Sequence, residues 1–363
     1  MTTSKENALN RKTLAELGWT DELETAFTTY AADGFEPARV VAEHRGGFAV
    51  RTERDDRLAH VRGKLREDEL FGGMPTVGDW VVVVDAGERY AIEAVLPRRT
   101  KLSRKTPWLK SDEHVLVANV DTIFIVAGLD GDFNVRRLER YLATAWDSGA
   151  DPVLVLTKLD VNHDPAVLLE AETIAMGVPV HAVSNVTGEG LEALDAYLGA
   201  ARTIVLIGSS GVGKSTLVNT LAGRELMPVG DLRNDGRGRH KTRHRQLHAL
   251  RNGSLLIDTP GLRELQLWEG DLDRAFADVA ELTQQCRFSD CAHRTEPGCA
   301  INAALEDGSL DAARWDSYQR LEREMARLRG RRSHREQAEL KRRWRDRARE
   351  TRYQRRHGKL KER

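Results

Sequence analysis

Apolar positions along the chain change texture three times. Between Asp121 and Ile257 they form short, nearly unbroken runs: Asp121–Ala127 (DTIFIVA), Pro152–Leu156 (PVLVL), Val178–Val183 (VPVHAV), Thr203–Ile207 (TIVLI) and Ser254–Ile257 (SLLI). Runs of this kind predict strands buried on both faces, as in a parallel sheet. Helical stretches such as Val135–Trp146 and Leu191–Leu198 lie between them, so the segment reads as a doubly wound α/β domain. Upstream, from Gly34 to Pro107, shorter β-rich runs cover Ala38–Ala42, Gly47–Thr52, Asp79–Val84 and Tyr90–Leu96. Gly46-Gly47, Gly72-Gly73-Met74-Pro75 and Asp85-Ala86-Gly87 punctuate them, which predicts a small barrel or sandwich. Downstream of about residue 270 the pattern is helical, broken by a Cys/His cluster at 286–299. Leu14, Leu17, Leu23 and Phe27 mark an arm or small packing helix ahead of the barrel. There is no internal repeat.

The 363 residues exceed one compact domain, since ~100–200 residues per domain is usual. The texture divides them into an extension over 1–33, a barrel of OB type over 34–110, the α/β domain over 111–269, a helical domain over 270–324 and a tail over 325–363. OB barrels often bind single-stranded nucleic acid, although a fold alone proves no function.

Charge sharpens this division. Lys plus Arg and Asp plus Glu both number 56, so the net charge is zero. The stretch Arg320–Arg363 nevertheless holds 19 basic and 7 acidic residues, a net of +12, which leaves −12 on residues 1–319. Trp344 and Tyr353 interleave the basic residues. An acidic body with a basic tail points to a polyanionic partner with salt-dependent binding. Arg98, Arg99, Lys101, Arg104 and Lys105 form a second basic cluster. No apolar run approaches the ~18–20 residues of a membrane span, and the start of the chain lacks the apolar core of a secretory signal. Only three Cys occur, all within 14 residues, so no disulfide framework is expected and the chain reads as cytoplasmic.

The strongest chemical signal is Gly208-Ser209-Ser210-Gly211-Val212-Gly213-Lys214-Ser215, which fits G-x-x-x-x-G-K-[ST] between a predicted strand and a predicted helix beginning near Thr216. Glycines in such a loop let backbone N–H groups converge on a phosphate, and the helix N-terminus adds partial positive charge. Lys214 would neutralise β/γ-phosphates and the Ser215 hydroxyl would ligate Mg²⁺. Thr157-Lys158-Leu159-Asp160 follows the strand PVLVL and resembles the guanine motif of GTPases, in which the Asp carboxylate accepts from guanine N–H groups. Asp258-Thr259-Pro260-Gly261 follows the strand SLLI and resembles the D-x-x-G element, whose Asp serves Mg²⁺ and whose Gly amide meets the γ-phosphate. Ser184-Asn185 resembles the fifth GTPase element, an ordinary strand-to-helix turn being the other reading. Thr242, in the loop GRGRHKTRH, stands where a switch I magnesium ligand is expected.

Their order along the chain is unusual. The guanine motif and Ser184 precede the phosphate loop, so the domain is a circular permutation. All these loops can still leave the carboxyl edge of one parallel sheet. One consequence is that the segment after Gly261 runs straight into the C-terminal domain, which would carry the γ-phosphate state to residues 270–363.

Cys286, Cys291, His293 and Cys299 offer three sulfurs and one imidazole, the ligand count of a closed, structural Zn²⁺ site. A small barrel, a permuted GTPase domain and CRFSDCAHRTEPGCA together resemble the RsgA (YjeQ) family, over roughly Gly34 to Glu324 and including Val117-Ala118-Asn119 through Lys158. The resemblance implies GTP hydrolysis stimulated by the small ribosomal subunit, binding to its rRNA, and release of assembly factors late in its maturation. It implies GTP with Mg²⁺ and one structural Zn²⁺ as ligands, and a chain acting as a monomer. Leu262 replaces the water-orienting Gln of many GTPases, as in the family, whose switch I His matches His240. That residue has two open roles, orienting water or contacting rRNA phosphate among Arg237, Arg239, Lys241, Arg243 and Arg245. Two positions depart from the family: Thr157 stands for its Asn, and Lys241 for the first Thr of its H-T-T. Two further functional classes remain at this point. One is a passive rRNA-binding assembly module with negligible turnover, which phosphate release with and without small subunits would separate. The other is a P-loop ATPase or kinase, disfavoured by Asp160.

Overall fold

The computed structural model describes residues 13–31, 34–44, 46–62, 73–105, 113–130, 133–227, 245–258 and 271–327. His240, Thr242, Thr259, Pro260, Gly261 and Leu262 lie outside the described residues, as do residues 1–12 and the tail beyond 327.

Five strands close the N-terminal barrel: β1 Glu36–His44, β2 Gly47–Arg51, β3 Asp56–Val61, β4 Trp80–Asp85 and β5 Tyr90–Val95. Their order is β1-β2-β3-β5-β4, with β4 returning to β1 and only β3–β5 parallel. Closure removes sheet edges that would otherwise expose unpaired backbone groups. Ala38, Val40, Phe48, Val50, Ala59, Val81, Val83, Tyr90 and Ile92 fill its interior. The run WVVVV in β4 is apolar on both faces because the N-terminal segment covers its outer side. There Leu17, Leu23 and Phe27, from the 3-10 turn Ala15–Leu17 and the helix Asp21–Phe27, pack with Trp80, Val82 and Leu96.

A hairpin of β6 Lys101–Lys105 and β7 Glu113–Ala118 follows the barrel. The α/β sheet then contains β8 Thr122–Gly128, β9 Asp151–Thr157, β10 Val180–Ala182, β11 Thr203–Gly208, β12 Gln246–Ala249 and β13 Leu255–Asp258. Its order is β10-β9-β8-β11-β13-β12, all parallel except β12. The five sequence-predicted strands are therefore present, and β11, which leads into the phosphate loop, lies at the centre although it follows β8–β10 in the chain. The helix Val135–Ser148 and a 3-10 segment Leu191–Tyr197 occupy the two predicted helical stretches.

β12 also pairs with β1 at Ala42↔Gln246, past the stretch Glu36–Arg39 that pairs with β4, so the barrel and the α/β strands form one continuous sheet. Arg39 secures this junction. Its buried guanidinium donates to Leu17 O, Gly78 O, Asn119 O and Thr203 Oγ1, one partner set spanning the N-terminal segment, the barrel and the α/β domain. Burial lowers its pKa to about 10, so the charge persists at neutral pH. Buried polar groups are tolerated when satisfied in this way.

The C-terminal part contains the helices Leu272–Ala275, Ala277–Gln284 and Ala300–Asp307 and a helix over 312–327. Phe276, Val279, Ile301, Leu310, Trp315, Leu321 and Met325 share one hydrophobic core with Leu138, Leu142, Ile125 and Ile207 of the α/β domain. Among the described residues no helix is long and apolar enough to cross a membrane.

Candidate nucleotide site and metal cluster

The carboxyl ends of the parallel strands bring the predicted loops to one edge. β11 ends at Gly208, whose φ of 146° and close approach to Val126 O leave no room for a Cβ. Gly211 and Gly213 also have left-handed φ, 82° and 92°, which turns the loop into the helix Lys214–Ala222. Val212 is buried in the core beneath the loop, while Ser210 and Gly211 are exposed. Ser215 and Thr216 lie in the first helical turn, where backbone N–H groups lack intrahelical partners and favour an anion. The Lys214 ammonium reaches back over the loop to Gly208 O, at 2.8 Å, and to Ser209 O.

The end of β9 and the turn after β10 are both bonded directly to this loop. Thr157 Oγ1 lies 2.5 Å from Val212 O, and the Asn185 amide donates to Gly213 O at 3.4 Å. Ser184, fully buried, donates to Asp160 Oδ1 at 2.6 Å. Its hydroxyl oxygen in turn accepts from Val186 N and Thr187 N, which leaves the proton for Asp160. Leu159 N donates to Val183 O, tying the two turns together. Lys158 has φ 63° and pairs with Asp130 in the turn after β8. Asp258 ends β13, next to β11 through the pairing Val205↔Ile257, and is nearly buried. Thr157, Lys158, Asp160, Ser184, Asn185, Gly208–Ser215 and Asp258 are thus gathered on one sheet edge from stretches far apart in sequence. Asn185 Oδ1 is buried without a partner among the described residues, an acceptor that fits a ligand bringing a donor to the loop.

The second predicted site also assembles. The ligand atoms of Cys286, Cys291, His293 and Cys299 lie within 4.8 Å of one another. A tetrahedral ion with Zn–S bonds of ~2.3 Å would separate its ligands by about 3.8 Å, so the cluster can hold one metal ion. His293 turns Nδ1 toward the sulfurs of Cys286 and Cys299, each at 3.5 Å, from a left-handed backbone with φ 56°. Cys299 is the N-cap of the helix Ala300–Asp307, and Trp315 packs edge-on against the His293 ring.

A family model described as RsgA GTPase matches residues 95–268. The small ribosomal subunit biogenesis GTPase RsgA of Opitutus terrae is 46% identical over 330 residues, which cover 86% of this chain and 90% of that protein. The chain belongs to the RsgA family. A crystal structure of YjeQ from Thermotoga maritima is 29% identical with a TM-score of 0.61, covering 80% of this chain and 99% of that one. The structure of YloQ, described as a circularly permuted GTPase, shares the fold at 24% identity and a TM-score of 0.57, over 83% of this chain and 98% of that one.

Two residues of this RsgA-family site carry no motif. Asp130 holds Lys158, and Arg137, from the first turn of the helix Val135–Ser148, donates to Ser209 Oγ. Both contacts bridge stretches whose separation, 28 and 72 residues, leaves no local signal. The basic cluster after the barrel is also altered by the fold. Arg98 is turned inward onto the buried Asp79, and Arg99 pairs with Asp121.

Proposed function

We propose that the chain binds GTP at this sheet edge and hydrolyses it to GDP and phosphate on the small ribosomal subunit, late in maturation, with release of assembly factors. The observation that carries this reading is the direct bonding of the guanine motif, through Thr157, and of the turn after β10, through Asn185, to the phosphate loop. A nucleoside phosphate would bridge both turns, its base at Asp160 and its phosphates at the loop. Asp160, exposed and oriented by Ser184, accepts from guanine, and adenine offers no matching donor pair.

On the phosphate side, the amides of Gly208–Gly213 and the Lys214 ammonium meet the β- and γ-phosphates. Magnesium would be held by Ser215 and Thr242 with Asp258 nearby, and supplies neutralisation of phosphate charge. The Gly261 amide meets the γ-phosphate, and His240 orients the attacking water in place of the Gln replaced by Leu262. The Cys/His cluster holds one structural zinc ion, which the three thiolates and one imidazole suit; four protein ligands leave no open position for a catalytic water. The units would span 34–110, 111–269 and 270–324, with the last helix carrying the third on to residue 327, and the rest of the tail over 325–363 binds rRNA by charge. The protein acts as a monomer in the cytoplasm.

Phosphate release measured with and without purified small subunits tests the reading. Hydrolysis of GTP but not ATP, accelerated by the subunit, is expected. Equal, negligible rates in both conditions would leave only a passive binding module.

A further inference from the structure

One helix touches both the phosphate loop and the C-terminal helices. In the first turn of Val135–Ser148, Arg137 donates to Ser209 Oγ, the side chain that follows Gly208. Asn134 caps that turn by accepting from Arg137 N at 3.0 Å, which fixes where the guanidinium starts. The next residues along the same helix grip the C-terminal domain. Glu139, fully buried, pairs with Arg314 at 3.1 Å and accepts from Ser317 Oγ. Arg140 meets Glu324 through two bonds of 3.0 Å. A turn later Ala143 O accepts from Asp271 N, and Arg274 lies 3.8 Å over the Trp146 ring. Arg314 is itself held by Asp278 through two further bonds of 2.5 and 2.6 Å. A buried ion network of this kind resists separation, because loss of one partner leaves a charge uncompensated. A helix is also stiff along its axis, so a shift imposed at Glu139 and Arg140 is passed to Arg137.

We infer that Arg137 is a positioning residue for the phosphate loop, and that the C-terminal domain sets it through Glu139 and Arg140. The guanidinium fixes Ser209, and Ser209 fixes the amides that face the phosphates. This route is separate from the segment that follows Asp258. It rests on the nucleotide reading above for its consequence in catalysis, but its structural half is independent of any ligand.

Backbone NMR order parameters of the nucleotide-free full chain read that half. Arg137→Ala should lower those at 208–213 from about 0.85 to below about 0.6, and Glu324→Gln should lower them by about half as much, while Arg137→Lys keeps most of the order. Unchanged order in Arg137→Ala overturns the positioning role, and unchanged order in Glu324→Gln overturns the C-terminal link. Steady-state GTP hydrolysis reads the consequence. Arg137→Ala and Ser209→Ala should each lower kcat about tenfold with KM within about twofold, and the double variant should be no slower than either. A loss confined to KM, or two losses that multiply, contradicts the inference. Variants that show the loss of order, in a protein whose wild-type chain hydrolyses no GTP, would instead refute the nucleotide reading and leave the positioning role standing.

Discussion

Thr157 has one hydroxyl proton and two carbonyl oxygens in reach, Val212 O at 2.5 Å and Ala127 O at 3.2 Å. The shorter contact takes the proton. An Asn at this position, as the family resemblance implies, could donate twice. The hydroxyl here serves the contact that matters most for the site, because Val212 belongs to the phosphate loop and Ala127 already lies within a central strand. Thr157 is fully buried, so removal of the hydroxyl strands a carbonyl away from water, at a cost of about 1–3 kcal/mol. Thr157→Val, similar in size, should weaken GDP binding by about tenfold and lower the unfolding midpoint, whereas Thr157→Ser should bind within about threefold of the parent. Titration calorimetry on the three proteins decides it: equal affinity in Thr157→Val would mean that the hydroxyl does not hold the loop.

At the scale of strands and helices, legibility followed burial. The strands β8, β9, β11 and β13 read clearly from sequence because both faces are covered, which demands unbroken apolar residues. β3 (DRLAHV) and β12 (QLHA) carry polar side chains on their open faces and gave no such run. The β6–β7 hairpin was hidden for the same reason, since KLSRK reads as a charge cluster. The phosphate loop was legible as a contiguous motif, and the turn carrying Thr157 was legible only beside it. Arg137 was not, because a single long-range hydrogen bond leaves no periodicity to find. The junction of strand and loop yields a further expectation. Gly208 pairs with Val126 in β8, and a Cβ there would stand 2.1 Å from Val126 O on a backbone with φ of 146°. The backbone neighbour cannot swing aside as a flexible side chain could. Gly208→Ala must therefore either part β11 from β8 or abandon the loop geometry, and a loss of about 2–4 kcal/mol is expected with nucleotide binding abolished. Urea unfolding together with a fluorescent-nucleotide titration checks both halves, and parent-like behaviour in either would show that the strand pair yields more readily than its contacts imply.

The whole molecule behaves as a chain of units that share cores and bonds. Arg39 binds the N-terminal segment, barrel and α/β domain, and the network around Glu139 and Arg314 binds the α/β domain to the C-terminal helices. This decides what metal removal should do. Small metal domains commonly unfold without their ion, since binding free energy is their folding free energy. Here the helices that flank the cluster do not depend on the ion alone. Phe276, Val279, Ile301 and Leu321 are buried in a core continuous with Leu138 and Leu142. At roughly 25 cal/mol per Å² of apolar surface, burial of several such side chains outweighs a local loss at the cluster. Chelation should therefore loosen residues 286–299, of which the core buries Cys299 but leaves residues 287–290 and 294–298 largely at the surface, and leave the helix Ala277–Gln284 and the helix over 312–327 protected. Because Cys299 caps the helix Ala300–Asp307, that helix should fray at its first turn. Hydrogen exchange before and after treatment with a chelator and reductant follows each segment separately. Collapse of protection throughout 271–327 would mean that the ion, and not the shared core, holds the C-terminal domain against the GTPase domain.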